Sequence, residues 1–202
     1  MRFASIIAAV LSTAITSVHG NPQEPQGSGG LPAGYKLADT TWSGNITANG
    51  PKLTFTGFSM QDIEYQIRKA NPSFPLGGKS ALAVRAGPKL DCQPADFWWA
   101  QVFRIQEGID YLHGIEGSFH IGPGPRVCSR VSCSHKSAIY FCNDNPRDIW
   151  VDADYVADYA QDIVDACQTF DDSARVRGQQ FAADYFDPNN WNVIVALDFD
   201  HC

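Results

Sequence analysis

Six cysteines, Cys92, Cys128, Cys133, Cys142, Cys167 and Cys202, constrain this chain more than any other feature of its sequence. All of them follow an N-terminal stretch in which Arg2 precedes the uncharged apolar run Phe3–Ile15, with Val18 and Gly20 ahead of Asn21. A positive start, a short apolar segment and residues suited to cleavage at the −3 and −1 positions read as a secretory signal peptide over residues 1–20. A membrane anchor needs about 18 or more consecutive apolar residues, and neither Phe3–Ile15 nor any later segment is that long. An even number of cysteines on an exported chain is expected to form disulfides, because thiols oxidise in the secretory pathway and outside the cell. Spacing alone does not choose the partners.

Other uses of sulfur fit less well. The densest stretch, CSRVSCSHKSAIYFCNDN from Cys128 to Asn145, has spacings C-x4-C and C-x8-C. A structural zinc site wants closely paired ligands and a second pair elsewhere, and this chain has no second close pair. A catalytic cysteine needs a free thiolate, which full pairing removes. The aspartates Asp158, Asp162 and Asp165 lack the spacing of a calcium loop. No catalytic, cofactor-binding or metal-ligating residue is therefore assigned, and no cofactor is expected. Asn45-Ile46-Thr47 is an N-glycosylation sequon, with Asn45 the acceptor.

Residues 21–34 are rich in Pro, Gly and polar residues and read as a flexible leader. A single domain over residues 35–202 follows. Lys52–Phe58 alternates as a strand does. Ser59 and Asp62 have the spacing of a capping box, opening a short helix to Ala70 with Met60, Ile63, Ile67 and Ala70 on one face. Asn71-Pro72 stops it. Ser80–Gly87 reads as a strand.

A helix is expected from Pro94 to His113, its seam formed by Trp98, Val102, Ile105, Ile109 and Leu112, widened by Trp99 and Phe103 and closed at Gly114. The aromatic stripe reads as core. Gly122–Pro125 (GPGP) forces a turn, and Ser137–Cys142 reads as a buried strand. A third helix over Asp154–Gln168 should bury Val156, Ala160, Ile163 and Cys167, leaving Asp158, Asp162 and Asp165 on the solvent side. Strands over Val176–Phe186 and Trp191–Phe199 complete an α+β class: an antiparallel sheet with two or three packed helices, a disulfide-stabilised two-layer sandwich.

The formal charge is −7, and loss of Arg2 with the signal peptide makes it one unit more negative. Such a surface repels phosphate backbones and anionic bilayers, so no nucleic-acid partner is expected, and the shortness of the apolar runs leaves no membrane span expected either. His113, His120 and His135, near Glu116, Arg126 and Arg130, hold the residue types of a phosphodiester-cleaving site. No G-x-S-x-G, H-E-x-x-H or phosphate-binding loop accompanies them.

From residue 128 onward the pattern becomes familiar. A buried strand (Ala138–Cys142) leads to a helix ending in a cysteine (Tyr155–Cys167), then to Val-Arg-Gly-Gln-Gln-Phe (Val176–Phe181), an apolar strand and a terminal cysteine (Trp191–Cys202). This order resembles small secreted cysteine-rich fungal proteins, including killer-toxin-like α/β sandwiches and Ecp2-type necrosis-inducing effectors. The resemblance implies an extracellular protein that manipulates a host or inhibits a competitor without an enzymatic centre. The expected function is a secreted effector or virulence-associated protein of a filamentous fungus, binding a host or competitor protein or a cell-surface target. A secreted hydrolase of ribonuclease type and a killer-type antimicrobial protein are the alternatives. The loops Gly122–Pro125, Asn143–Asp148 and Asp187–Asn190 are candidate contact surfaces, as loops often are.

Titrating the native protein with a thiol reagent is expected to find no reactive sulfhydryl; two or more would overturn the assignment of all six cysteines to cross-links.

Overall fold

The computed structural model describes residues 30–74, 89–94, 96–182, 190–200 and 202. The signal segment, most of the leader, the strand expected at Ser80–Gly87 and the turn at Asp187–Asn189 lie outside these residues. Among the described residues three helices pack with antiparallel strands in a disulfide-stabilised α+β fold.

The strands divide over several sheets. In the largest, six strands run in the order β1 (Lys36–Ala38), β7 (Val127–Ser134), β8 (Ser137–Asn143), β12 (Trp191–Leu197), β11 (Gly178–Phe181) and β4 (Lys89–Asp91). All neighbours are antiparallel except β1, which runs parallel to β7. A second sheet of four strands has the order β3 (Lys52–Gly57), β2 (Thr40–Asn45), β6 (Ser118–Ile121) and β9 (Ile149–Asp152). A two-stranded ribbon pairs β5 (Ala100–Gln101) with β10 (Arg175–Val176).

Strand β8 explains why SAIYFC carries no polar alternation. Every one of its residues is buried, so both faces of the sheet are covered. Ile139 and Phe141, with Val131, Val193 and Val195, face the main core. Ala138, Tyr140 and Cys142, with Ile194 and Ala196, face a smaller cluster that includes Leu31 and Phe97. Successive side chains of a strand point to opposite faces, and here both faces are apolar. Fully burying a large aliphatic or aromatic side chain stabilises by about 1.5–3 kcal/mol, so this strand anchors the fold.

Helix α1 (Met60–Ala70) forms as the sequence dictates. The Ser59 hydroxyl accepts from the Asp62 N–H, and Asp62 Oδ2 accepts from the Ser59 N–H at 3.1 Å. Met60, Ile63 and Ile67 are buried, while Ala70 at the last turn is exposed. The Asn71 N–H closes the helix on the Ile67 carbonyl.

Helix α2 spans Val102–His113 and does not begin near Pro94. Residues 97–101 instead run outside any helix, ending in the strand Ala100–Gln101, and are held by partners distant in sequence. The Trp98 carbonyl accepts from the Leu197 N–H at 3.0 Å, Ala100 and Gln101 pair with β10, and the Val102 N–H donates to the Ala174 carbonyl. Sheet pairing overrides the helical period there. Ile105, Ile109 and Leu112 still form the buried seam and Gly114 caps it, but Trp98 and Phe103 are exposed at 52% and 54%. The aromatic stripe is thus not core: Trp98 and Phe103 are exposed and Trp99 is half-buried, while the buried aromatic of this segment is Phe97.

Helix α3 (Ala153–Cys167) buries Val156, Ala160, Ile163 and Cys167 as expected. Its buried stripe is wider than the apolar period suggested, because Ala157, Tyr159 and Val164 are buried too. Two of the three aspartates therefore leave the solvent side. Asp158 is largely covered and faces His113, Asp162 accepts from Gln180, and Asp165 alone is exposed.

Gly108 sets how closely α2 approaches β7. A Cβ there would meet Ser132 Oγ at 2.4 Å and Ile139 Cδ1 at 3.2 Å. Glycine costs a helix interior about 1 kcal/mol relative to alanine, yet Gly108→Ala is expected to destabilise, since overpacking a core costs about 1–3 kcal/mol. Adding Ser132→Ala should restore part of the loss in a denaturant titration; a stabilised Gly108→Ala variant would contradict this packing.

Candidate functional site

All six cysteines are paired: Cys92 with Cys167, Cys128 with Cys142 and Cys133 with Cys202, at sequence separations of 75, 14 and 69. Cys128 and Cys142 face each other directly across β7 and β8. The sulfurs of Cys133 and Cys202 lie with a carboxylate oxygen of Asp198 within 4.8 Å of one another, but a disulfide offers no thiolate to a cation. The sequon acceptor Asn45 ends β2 and is exposed, as is Thr47. No helix among the described residues is long and apolar enough to cross a membrane.

The three histidines do not converge. His113, at the end of α2, lies 3.4 Å from Asp154 and 3.6 Å from Asp158, with its side chain 5% exposed. His120, in β6, contacts Asp148 at 3.2 Å and packs its ring on Trp150 with centroids 4.6 Å apart. His135 sits in the β7–β8 turn beside Ser134. Glu116 is exposed, and Arg126 is exposed over the Tyr35 ring. Arg130 is taken up elsewhere.

Arg130 belongs to a buried polar network. Its Nη1 donates to Asp198 Oδ2 at 2.7 Å, and the Tyr140 hydroxyl donates to the same oxygen at 2.8 Å. Asp198 Oδ1 accepts from the Asp200 N–H at 2.7 Å. Both ions are nearly solvent-free, at 4% and 0% side-chain exposure. Burial, with the Asp198 charge beside it, pushes the Tyr140 hydroxyl far above its ordinary titration range. Arg130 Nε has no hydrogen-bond partner, but the guanidinium lies 4.7 Å from the Phe58 ring centroid, a cation–π contact that offsets part of the desolvation. The network joins β7, β8 and the end of β12, next to the Cys133–Cys202 bridge.

A more open feature lies where the edge strand β9 meets α3 and β12. A cavity of about 380 Å³ is lined by Trp150, Asp152, Tyr155, Tyr159 and Trp191 among others. A neighbouring cavity of about 470 Å³ shares Trp150, Val151 and Trp191 with it and extends along Asn145, Arg147 and Asp148. The two make one groove with aromatic walls and a polar rim. Both indoles are braced: Trp150 by His120, and Trp191 between Tyr159 at 4.7 Å and Phe141 at 5.7 Å.

Asparagine side chains fix the rim. Asn143 Nδ2 donates to the carbonyls of Gly122 and Arg147, and Asn145 Nδ2 donates to the Asn190 carbonyl. The Gly124 N–H closes on the Asn145 carbonyl at 2.7 Å. The loops Gly122–Pro125 and Asn143–Asp148 and the described end of Asp187–Asn190 are thereby drawn together. The sequence does not show the groove as a whole, because its tryptophans lie in separate strands; its one local cue is the polar loop 143–148, which ends two residues before Trp150.

Compared with protein-family models, curated proteins and solved structures, the chain matches none.

Removing one partner of a buried ion pair costs about 3–5 kcal/mol because the other charge is left uncompensated. Asp198→Asn is expected to lower unfolding free energy on that scale in guanidinium titrations, and a loss below about 1 kcal/mol would mean that Arg130 finds water. Burial, together with the charge of Asp165, raises the Asp162 carboxyl above its ordinary value despite the bond from Gln180. The folded state then holds that proton more tightly than the unfolded state, so this stability is present below the unfolded value and lost as pH rises. Stability of the wild type relative to Asp162→Asn is therefore expected to fall as pH rises above the ordinary carboxylate value of about 4; parallel curves would contradict this.

Proposed function

We propose that this chain is a secreted, disulfide-stabilised effector or virulence-associated protein of a filamentous fungus that acts by binding a host or competitor target. The observation that carries the reading is the braced aromatic groove between β9, α3 and β12, a concave surface with convergent polar groups of the kind that ligand sites use. The signal-like leader, the three disulfides and the exposed sequon asparagine agree with life outside the cell. The order of elements from β8 to Cys202 remains the basis of the proposed kinship with killer-toxin-like and Ecp2-type proteins, and helices laid over the six-stranded sheet suit their two-layer form. A hydrolase of ribonuclease type would want two histidines converging with Glu116 or an arginine, and here each described histidine engages a different partner.

Deleting the gene is expected to leave growth in culture unchanged and to reduce colonisation of a host or success against a competitor. Unaltered performance in both settings would sink the effector reading.

A further inference from the structure

The groove also has a chemistry, and that chemistry narrows its ligand. Resting on the binding reading above, we propose that it takes a neutral oligosaccharide, a linear chain of pyranose units laid along β9. Trp150 is half exposed, and its indole is backed by the His120 imidazole at 4.6 Å, which Asp148 holds in turn at 3.2 Å. A flat ring braced on one side presents a rigid apolar platform at low conformational cost. The C–H face of a pyranose is the complementary surface, flat and apolar at the centre and ringed by hydroxyls. Those hydroxyls need acceptors and donors at the edge of the platform, and the rim supplies the carboxylates of Asp148 and Asp152 and the guanidinium of Arg147. Hydrogen bonds to such ionised groups are stronger than those between neutral partners.

Charge excludes the nearest competitors. Among the described lining residues Arg147 is the one cation, set against Asp148 and Asp152, so a phosphate, sulfate or uronate chain would meet net repulsion. The chain's overall charge of −7 acts in the same direction. A purely apolar ligand would strand the two carboxylates and the guanidinium against a surface that cannot pair with them. Shape favours a polymer: the two cavities, each within the range of small-ligand sites of about 300–1,000 Å³, run into each other across Trp150 and Trp191. Successive sugar units can then occupy successive halves.

The test uses the oxidised, full mature protein and isothermal titration calorimetry with neutral hexasaccharides built from glucose, N-acetylglucosamine, mannose or xylose units, and with a hexagalacturonate as the charged counterpart. At least one neutral chain is expected to bind saturably, and the galacturonate to bind more weakly. Trp150→Ala is expected to weaken binding by roughly tenfold or more, the scale of one stacking platform, with an unchanged denaturation midpoint. Trp150→Phe should recover most of it. Trp98→Ala, which alters the other exposed tryptophan, outside the groove, should leave affinity as it was. Three results would each overturn the proposal: no saturable binding of any neutral chain at millimolar concentration, equal loss in Trp98→Ala and Trp150→Ala, or tighter binding of the galacturonate. The two readings fail separately. Absence of sugar binding with a deletion phenotype intact removes the glycan and leaves the effector, whereas sugar binding without a deletion phenotype does the reverse.

Discussion

Strand β8 has β7 on one edge, β12 on the other, and apolar layers on both faces. A segment in that position must satisfy every backbone donor and acceptor through its neighbours, since water reaches none of them. That requirement fixes the register of β7 and β12, and with it the positions of the elements that pack on either side. The two-residue period does the rest: Ile139 and Phe141 meet the helices, while Ala138, Tyr140 and Cys142 meet the smaller cluster. A slip of one residue would exchange those two sets.

The smaller cluster is the more unusual of the two. It holds a disulfide, Cys128–Cys142, and beside it a buried arginine–aspartate pair to which Tyr140 contributes a hydroxyl. Polar groups this deep are tolerable when their bonding capacity is met, and both oxygens of Asp198 have partners. The end of β12 is thus tied by electrostatics through Asp198 and by covalency through Cys202. Neither tie is local in sequence, since Arg130 and Cys133 lie far upstream.

Features governed by near neighbours could be read from the sequence. The capping box at Ser59, much of the buried faces of α1 and α3 and the buried strand at Ser137–Cys142 follow from rules that act within a few residues, and the use of cysteine for cross-links follows from its even count behind a signal segment. What could not be read depends on partners elsewhere. The start of α2 moved to Val102 because residues 174–176 and 197 claim the preceding backbone. Asp158 and Asp162 are partly covered because α2 and β11 pack on that flank of α3, bringing His113 and Gln180 to them. The groove is the extreme case: Trp150 comes from one sheet and Trp191 from another, and they meet because β9 and β12 both pack on α3.

The order of the cross-links along the chain has its own consequence. The Cys92–Cys167 loop encloses Cys128–Cys142 and interlocks with Cys133–Cys202, since Cys133 lies inside the first loop and Cys202 beyond it. A single peptide bond cleaved anywhere from Cys92 to Cys202 therefore falls within at least one closed ring. A protease that nicks an exposed loop in that span severs the backbone without releasing a fragment, and the pieces stay tethered where they were cut.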